Sequence, residues 1–379
     1  MMPGTTRDGR SDIRLAHVFS TLAVGGPQVR FVRIANHFGD RYTHRLLAMD
    51  GRYTATGRLD SNVAWSVIDG VPRGGGLARL LHIRRMLAAE QPHALITYNW
   101  GAIEWAAANR LAPLCRHIHY EDGFGLEEAE RQLARRVWLR RLALRGTHTQ
   151  VLVPSHRLHD IAVRVWRLPA ARVRLVPNGV DCRHFAMARD HPGACPFPRR
   201  DGATVIGTIA TLRPEKNIAR LLRVAARLAR KHPVQLVIVG DGPARIPAEQ
   251  LAADLGIDRF TIFTGAVADP ALPLAHMDLF AISSDTEQMP LSVLEAMAAG
   301  LPICGTDVGD IGRMVAPENA SFLVPPAHEA EFATALERLI ADPAQRTAVG
   351  AANRARAFST YDEETMFRTR SRLWDGCTH

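Results

Sequence analysis

The chain has 379 residues, 47% of them apolar and 22% charged, which suits two globular domains better than one. Its formal charge is +9 and uneven: residues 1–190 hold 28 Arg against 16 acids (+12), and residues 191–379 hold 19 cations against 22 acids (−3), so the first half predicts an anionic partner. No apolar run approaches the roughly 18 residues of a membrane-spanning helix, the polar first residues predict no secretory signal, and five scattered cysteines without a CxxC spacing exclude a zinc ribbon and place the chain in a reducing cytoplasm.

Residues 1–12 read as disordered, and 13–20 as a first strand. Gly25 and Gly26 then form a turn before a helix with apolar residues at Val29, Val32, Ile34, Ala35 and Phe38. A strand, a glycine turn and a helix open a doubly wound domain, and such a turn can face a phosphate. Strands are predicted at 45–49, 63–67, 94–98 and 117–120, with helices at 77–90 and 102–110. The strand 117–120 ends in Glu121-Asp122-Gly123-Phe124-Gly125, an acidic loop at the strand end where open α/β sheets take ligands. Residues 127–146 read as one long helix. Leu133, Val137 and Leu144 share a side near Trp138, and six Arg crowd the rest. Such a face either packs on a sheet with its Arg in water or lies on an anionic membrane. A strand at 150–154, a helix at 156–167 capped by Ser155, and a strand at 173–176 lead to PNGVD (177–181). The Pro/Arg-rich stretch 184–202 is the expected linker.

A second α/β run follows: strands at 204–210, 234–239, 260–264, 278–282, 301–305 and 322–324, and helices at 218–231, 247–255, 270–276, 328–341, 343–358 and 360–375. Between 282 and 300 a polar turn opens a short helix, with Pro290 in its first turn and Gly300 as its stop. The N–H groups of Leu291 and Ser292 then make an anion seat. Glu287 and Glu295 place a carboxylate on each side, suited to sugar hydroxyls. Alternating strands and helices predict an α/β chain of two doubly wound parallel-sheet, Rossmann-like domains across a cleft. The expected domains are 1–190, with the C-terminal helix 360–379 packing back onto it, and 200–359.

The ordered set VPNGVD, TLRPEKN, VGDGP, TGAVAD and SSDTEQMPLSVLEAMAAGLPICGTDVGDI resembles the retaining glycosyltransferases of family 4, which have the GT-B fold. The resemblance is close from about Val151 to Ile311. It implies a domain 1–190 on the acceptor side and a domain 200–359 that binds a nucleotide-sugar. It implies that Glu295 holds ribose hydroxyls, that Glu287 touches the donor sugar, and that Lys216 neutralises the leaving diphosphate. The helix start at Met289, Pro290, Leu291 and Ser292 receives that diphosphate, the Gly25-Gly26 loop closes over it, and backbone near Gly265 and Val267 meets the base.

Two positions depart from the family pattern. Ala210, Thr211 and Leu212 stand where it has Gly-Arg-Leu, and Arg213 is the candidate replacement for that arginine. Asp122 stands where it has a histidine near the reacting carbon. Asp122, Lys216 and Glu287 are therefore the expected catalytic residues, Asp122 as an electrostatic partner of a developing oxocarbenium ion.

The implied reaction is transfer from a UDP-sugar to a hydroxyl of a glycan or lipid-linked acceptor, with retention, in cell-envelope glycan or glycolipid synthesis. It needs no cofactor or metal. The implied setting is the cytoplasm, peripheral on the inner membrane face, with no nucleic-acid partner. The alternatives are a non-catalytic nucleotide-sugar-binding protein and a nucleotide-sugar epimerase of the same fold.

Overall fold

The computed structural model describes residues 13–72, 74–124, 128 and 132–376. The expected disorder at 1–12 lies outside them. The chain divides into two compact units, 1–176 with 367–379, and 177–366.

In the first unit the order is β1 (Arg14–Phe19), α1 (Gly26–Phe38), β2 (Thr43–Ala48), β3 (Ala64–Val67), α2 (Gly76–Glu90), β4 (Ala94–Tyr98), α3 (Ile103–Leu111), β5 (Arg116–Tyr120), α4 (Ala134–Leu144), β6 (Thr149–Val153), α5 (His156–Asp160) and β7 (Val173–Leu175). The sheet is wholly parallel, in the order β3-β2-β1-β4-β5-β6-β7. Its central strand is buried on both faces, as expected inside a parallel sheet: β4 is buried at every position from Ala94 to Tyr98.

The second unit holds α6 (Cys182–Asp190), β8 (Thr204–Ile209), α7 (Ile218–Leu228), β9 (Val234–Val239), α8 (Arg245–Asp254), β10 (Thr261–Gly265), α9 (Ala271–Ala275), β11 (Leu279–Ile282), α10 (Leu291–Ala298), β12 (Ile303–Thr306), α11 (Ile311–Met314), β13 (Leu323–Val324), α12 (Glu329–Ala341) and α13 (Pro343–Thr360). Its parallel sheet runs β10-β9-β8-β11-β12-β13. The final helix, α14 (Glu363–Asp375), starts in the second unit and ends in the first. There Phe367, Leu373 and Trp374 are buried, and Tyr42 Oη donates to Asp375 at 2.8 Å.

Several expectations change. The division falls between Val176 and Pro177, not in 184–202. Residues 182–190 are the helix α6, whose Cys182, Phe185 and Ala186 are buried, the first two in the second unit's main core. Asp181 caps it by accepting from His184 N at 2.9 Å. The expected helix at 156–167 is one α turn, α5, continued as a π turn over Ile161–Val165. The long helix expected at 127–146 begins at Ala134, and residues 125–127 and 129–131 lie outside the described set.

Histidines occupy the interior of the first sheet. His17 Nδ1 lies 3.1 Å from Tyr98 Oη, and its Nε2 lies 3.0 Å from His44 Nδ1. Burial holds His44 down to about 3, and burial followed by the field of His44 holds His17 well below the ordinary value. His117 is lowered by burial and by His119. These rings are neutral when folded and protonate near pH 6.5 once unfolded. A depressed folded pKa gives stability that is complete above the unfolded value and is lost as pH falls. Unfolding free energy should therefore drop between pH 6.5 and 5 by about 2 kcal/mol per buried histidine. Urea titrations across that window test this, and a flat profile contradicts it.

Candidate functional site

In an open parallel sheet, ligands bind at the carboxyl ends of the strands where the strand order reverses. In the second unit that point lies between β8 and β11, which pair directly. The two loops leaving these strands carry Lys216 and Glu287.

The β8 loop is shaped by its sequence. Leu212 is fully buried as its anchor. Its N–H donates to Asp241 O at 2.9 Å, and its carbonyl accepts from Ala244 N at 2.8 Å. Pro214, Glu215 and Lys216 make one tight turn. Asn217 is left-handed (φ 44°) and caps α7 by accepting from Arg220 N. This conformation and this capping role both suit asparagine. Gly240 brings a neighbouring loop close, since a Cβ there would lie 1.8 Å from Ala210 O.

Lys216 Nζ reaches Glu287 Oε1 at 2.5 Å, and Ser284 Oγ donates to the same oxygen at 2.7 Å. The two charged side chains are 22% and 10% exposed. With Ser283, Ser284 and Ser292 they line a recess floored by the ends of β8 and β11. All but two of the chain's cationic side chains are Arg, the lysines being Lys216 and Lys231. The lysine in this recess is therefore not a product of general composition.

A polar lattice that the sequence did not reveal holds the two loops in register. Arg220, 9% exposed, donates to Ser283 O at 2.6 Å and to Asp285 at 2.7 Å. Asn217 Nδ2 donates to Asp285 at 3.1 Å, Ser283 Oγ to Lys216 O at 2.9 Å, and Asp285 N to Glu215 O at 2.8 Å. The available signal was the polar run Ser283-Ser284-Asp285, which faces Asn217 and Arg220 only after folding. Gly309 supports the same loop: its φ is +64°, and a Cβ there would lie 2.3 Å from Glu287 O.

The other residues expected to bind the donor, apart from Gly25 and Gly26, belong to the same unit. Pro290 stands at the N-cap of α10 rather than inside its first turn, and Leu291 begins the helix. Met289 is pinned by Asn178 of PNGVD, whose side chain donates to Met289 O at 3.0 Å. Glu295 lies half-buried on α10. Arg213 is 61% exposed and leans towards Glu215 at 3.9 Å. Gly265 ends β10 with its carbonyl accepting from Gly240 N at 2.8 Å, and Val267 packs against the core.

Gly25, Gly26 and Asp122 belong to the first unit. Gly25 is the extended N-cap of α1, and Gly26 is its first residue. Asp122 is not a lone carboxylate. Arg30 of α1 grips both its oxygens, at 2.6 and 2.8 Å, and the two side chains are 3% and 12% exposed. The bare acid expected beside a developing cation is thus half of a bidentate ion pair. Arg30 lies 92 residues away in sequence, too far for spacing to reveal it.

The arginine face of α4 also differs from expectation. Arg140 is 1% exposed, bonded to Glu128 at 3.1 and 3.0 Å and to Glu121 at 3.3 Å. Its guanidinium lies 5.0–5.2 Å from the rings of Trp100, Phe124 and Trp166. Burial works to raise the Glu128 carboxyl, but the bonds from Arg140 and Arg136 bring it below the ordinary range. Leu144 is buried, whereas Leu133, Trp138 and Leu142 are exposed. Among the described residues no helix is long and apolar enough to cross a membrane.

Residues 25–179 match the family model described as "Glycosyl transferase 4-like domain", and residues 203–342 match that described as "Glycosyl transferases group 1". The chain belongs to the group 1 glycosyl transferases. It is 33% identical over 229 residues to a GDP-mannose-dependent alpha-mannosyltransferase of Mycolicibacterium smegmatis, covering 59% of this chain and 56% of that one. It is 31% identical over 217 residues to alpha-D-kanosaminyltransferase of Streptomyces kanamyceticus, covering 55% of each. The chain thus spans about half the length of these curated relatives. The Anabaena protein HepE, solved in complex with UDP, shares the GT-B fold with this glycosyl transferase: TM-score 0.79, 18% identity, 96% of this chain and 100% of that one.

Proposed function

We propose that the chain transfers a sugar from a nucleoside-diphosphate sugar to a hydroxyl of a glycan or lipid-linked acceptor, with retention of configuration. The observation that carries this reading is the Lys216–Glu287 pair, set at the strand-order reversal beside the start of α10. Lys216 and the α10 N-terminus supply positive potential for the departing diphosphate. Glu287 Oε1 is taken by Lys216 and Ser284, so Oε2 remains for a donor-sugar hydroxyl. Glu295 holds the ribose. The acceptor oxygen bonds to the anomeric carbon as the carbon–phosphate-oxygen bond breaks. The electron pair leaves with the diphosphate, which also takes the acceptor's proton. The positive groups in this account are organic, so transfer is metal-independent. A UDP-sugar is the proposed donor. The GDP-mannose dependence of a named relative makes the guanine nucleotide its direct competitor.

The test is a melting-temperature screen of UDP, GDP, ADP and their sugars on the wild type and Glu295→Ala, since a ligand that binds only the folded form raises the transition. The expected result is a shift with one base, strongest for UDP, that Glu295→Ala reduces by at least half. A shift with GDP alone corrects the base and leaves transfer standing. No shift with any nucleotide removes the donor site. A shift without transfer to any hydroxyl favours a non-catalytic nucleotide-sugar binder.

A further inference from the structure

Arg370 lies on the inner face of α14 with Phe367, Leu373 and Trp374, and is only 2% exposed. Cations so buried are normally paired, because an isolated charge in a low dielectric is costly. Arg370 is not. Its guanidinium stands 4.8 Å over the ring of Tyr120, and its Nε has no hydrogen-bond partner. The carboxylate that acts on it, Asp122, is already held through both oxygens by Arg30. Its other polar neighbours, Tyr98 and Tyr120, are phenols. Burial first, and then the charge of Arg30, pull Arg370 down to about 10, so it stays charged at neutral pH.

Among the described residues no carboxylate is therefore bonded to the Arg370 guanidinium. The cluster sits where β4 and β5 end: Tyr98 closes β4, Tyr120 closes β5, and Asp122 N donates to Asn99 Oδ1 at 2.7 Å. That is the sheet edge at which open α/β units take ligands. Asp122, 12% exposed, marks its approach to solvent.

We propose that Arg370, backed by the Arg30–Asp122 pair, is a binding site in the first unit for one oxyanion group, a phosphate or a carboxylate. A guanidinium fork over an aromatic ring suits such a group, which it can bond through two nitrogens. The site takes a single anion because Arg370 brings one guanidinium that no carboxylate bonds among the described residues. That the anion is carried by the acceptor rests on the transferase reading. That an anion binds at Arg370 does not.

The experiment uses the full chain with Lys216→Met, so that the second unit's cation does not contribute. Inorganic phosphate, acetate and glucose 6-phosphate are titrated, read by melting temperature and by tryptophan fluorescence. Trp374 Nε1 donates to Tyr120 Oη at 3.3 Å and so reports on the site. Phosphate is expected to raise the melting temperature and change the emission. Arg370→Met should weaken phosphate at least ~10-fold, as the loss of a charged hydrogen bond implies. In anion-free buffer the same variant should melt no lower than its parent, because it removes an unpaired buried charge. Arg370→Lys keeps the charge but loses the fork, and should also weaken phosphate if Arg370→Met does not fold. No response to any of the three anions, or an equal response in the Arg370 variants, overturns the proposal. Glucose 6-phosphate binding more tightly than phosphate makes the anion part of a sugar-bearing ligand, whereas equal affinities make it free phosphate. Absence of transfer by the chain with Lys216 intact, with the anion response of the Lys216→Met protein preserved, would count against the transferase reading alone.

Discussion

Lys216→Ala is expected to lower kcat for sugar transfer about 10²–10³-fold, the usual effect of removing one preorganised donor from a developing negative charge. The effect has two parts. The cation 2.5 Å from Glu287 disappears. The Glu287 carboxylate, 10% exposed, then keeps Ser284 as its hydrogen-bond partner among the described residues and repels the incoming diphosphate. Glu287→Gln on its own removes that repulsion but loosens the lysine. The two changes should therefore couple, with the double variant losing less than the product of the singles. Steady-state kinetics of the four proteins measures the coupling. An alanine variant with more than about a third of wild-type turnover would remove Lys216 from the chemistry.

Arg140→Ala is expected to destabilise the first unit by about 3–5 kcal/mol, because it takes the guanidinium from buried Glu121, removes the closer of two from Glu128, and empties the space between three aromatic rings. Arg140→Met fills that space but leaves Glu121 without its guanidinium and Glu128 with Arg136 and the Leu133 N–H, so it should recover only part of the loss. Adding Glu121→Gln and Glu128→Gln should recover most of the rest, since replacing a whole buried ionic group can be nearly neutral. All six tryptophans lie in the first unit, so urea unfolding followed by tryptophan emission reads that unit specifically. A loss below about 1 kcal/mol for Arg140→Ala would make the network ornamental.

The second unit was the more legible in sequence. Its strands are short apolar runs, two of them (β9 and β10) closed by glycine, and its helices carry a clear 3.6-residue period, as in α7 with Ile218, Leu221, Leu222, Ala225 and Leu228 buried. Glu287 stands out because its loop leads from a strand straight into a helix start, whereas Lys216 was legible only through the resemblance of RPEKN to the family motif. What stayed hidden were pairings across long sequence separations. Arg140 looked like any solvated arginine on a basic helix, and nothing local distinguishes it from Arg135, which is exposed. Asp122 looked like a free acid because its partner is on α1. The unit boundary was misplaced because proline and arginine signal a turn, whereas Pro177–Asp190 is tied to the second unit through Asn178, Val180 and the buried side of α6. Periodicity reports which face is buried, not which buried charge meets which.

The first unit is built from two separate pieces of chain, and its core is closed by Phe367, Leu373 and Trp374. A ribosome makes residues 177–366 in one stretch, but it delivers the closing piece of the first unit last. The usual N-terminal-first order of co-translational folding is therefore reversed at completion. The second unit can finish while the first, although translated earlier, still waits with the seat of Trp374 open. During that interval the sheet beneath α14 exposes Tyr42, Tyr120 and their buried histidines, and a chain cut short before residue 367 would be held in that state permanently.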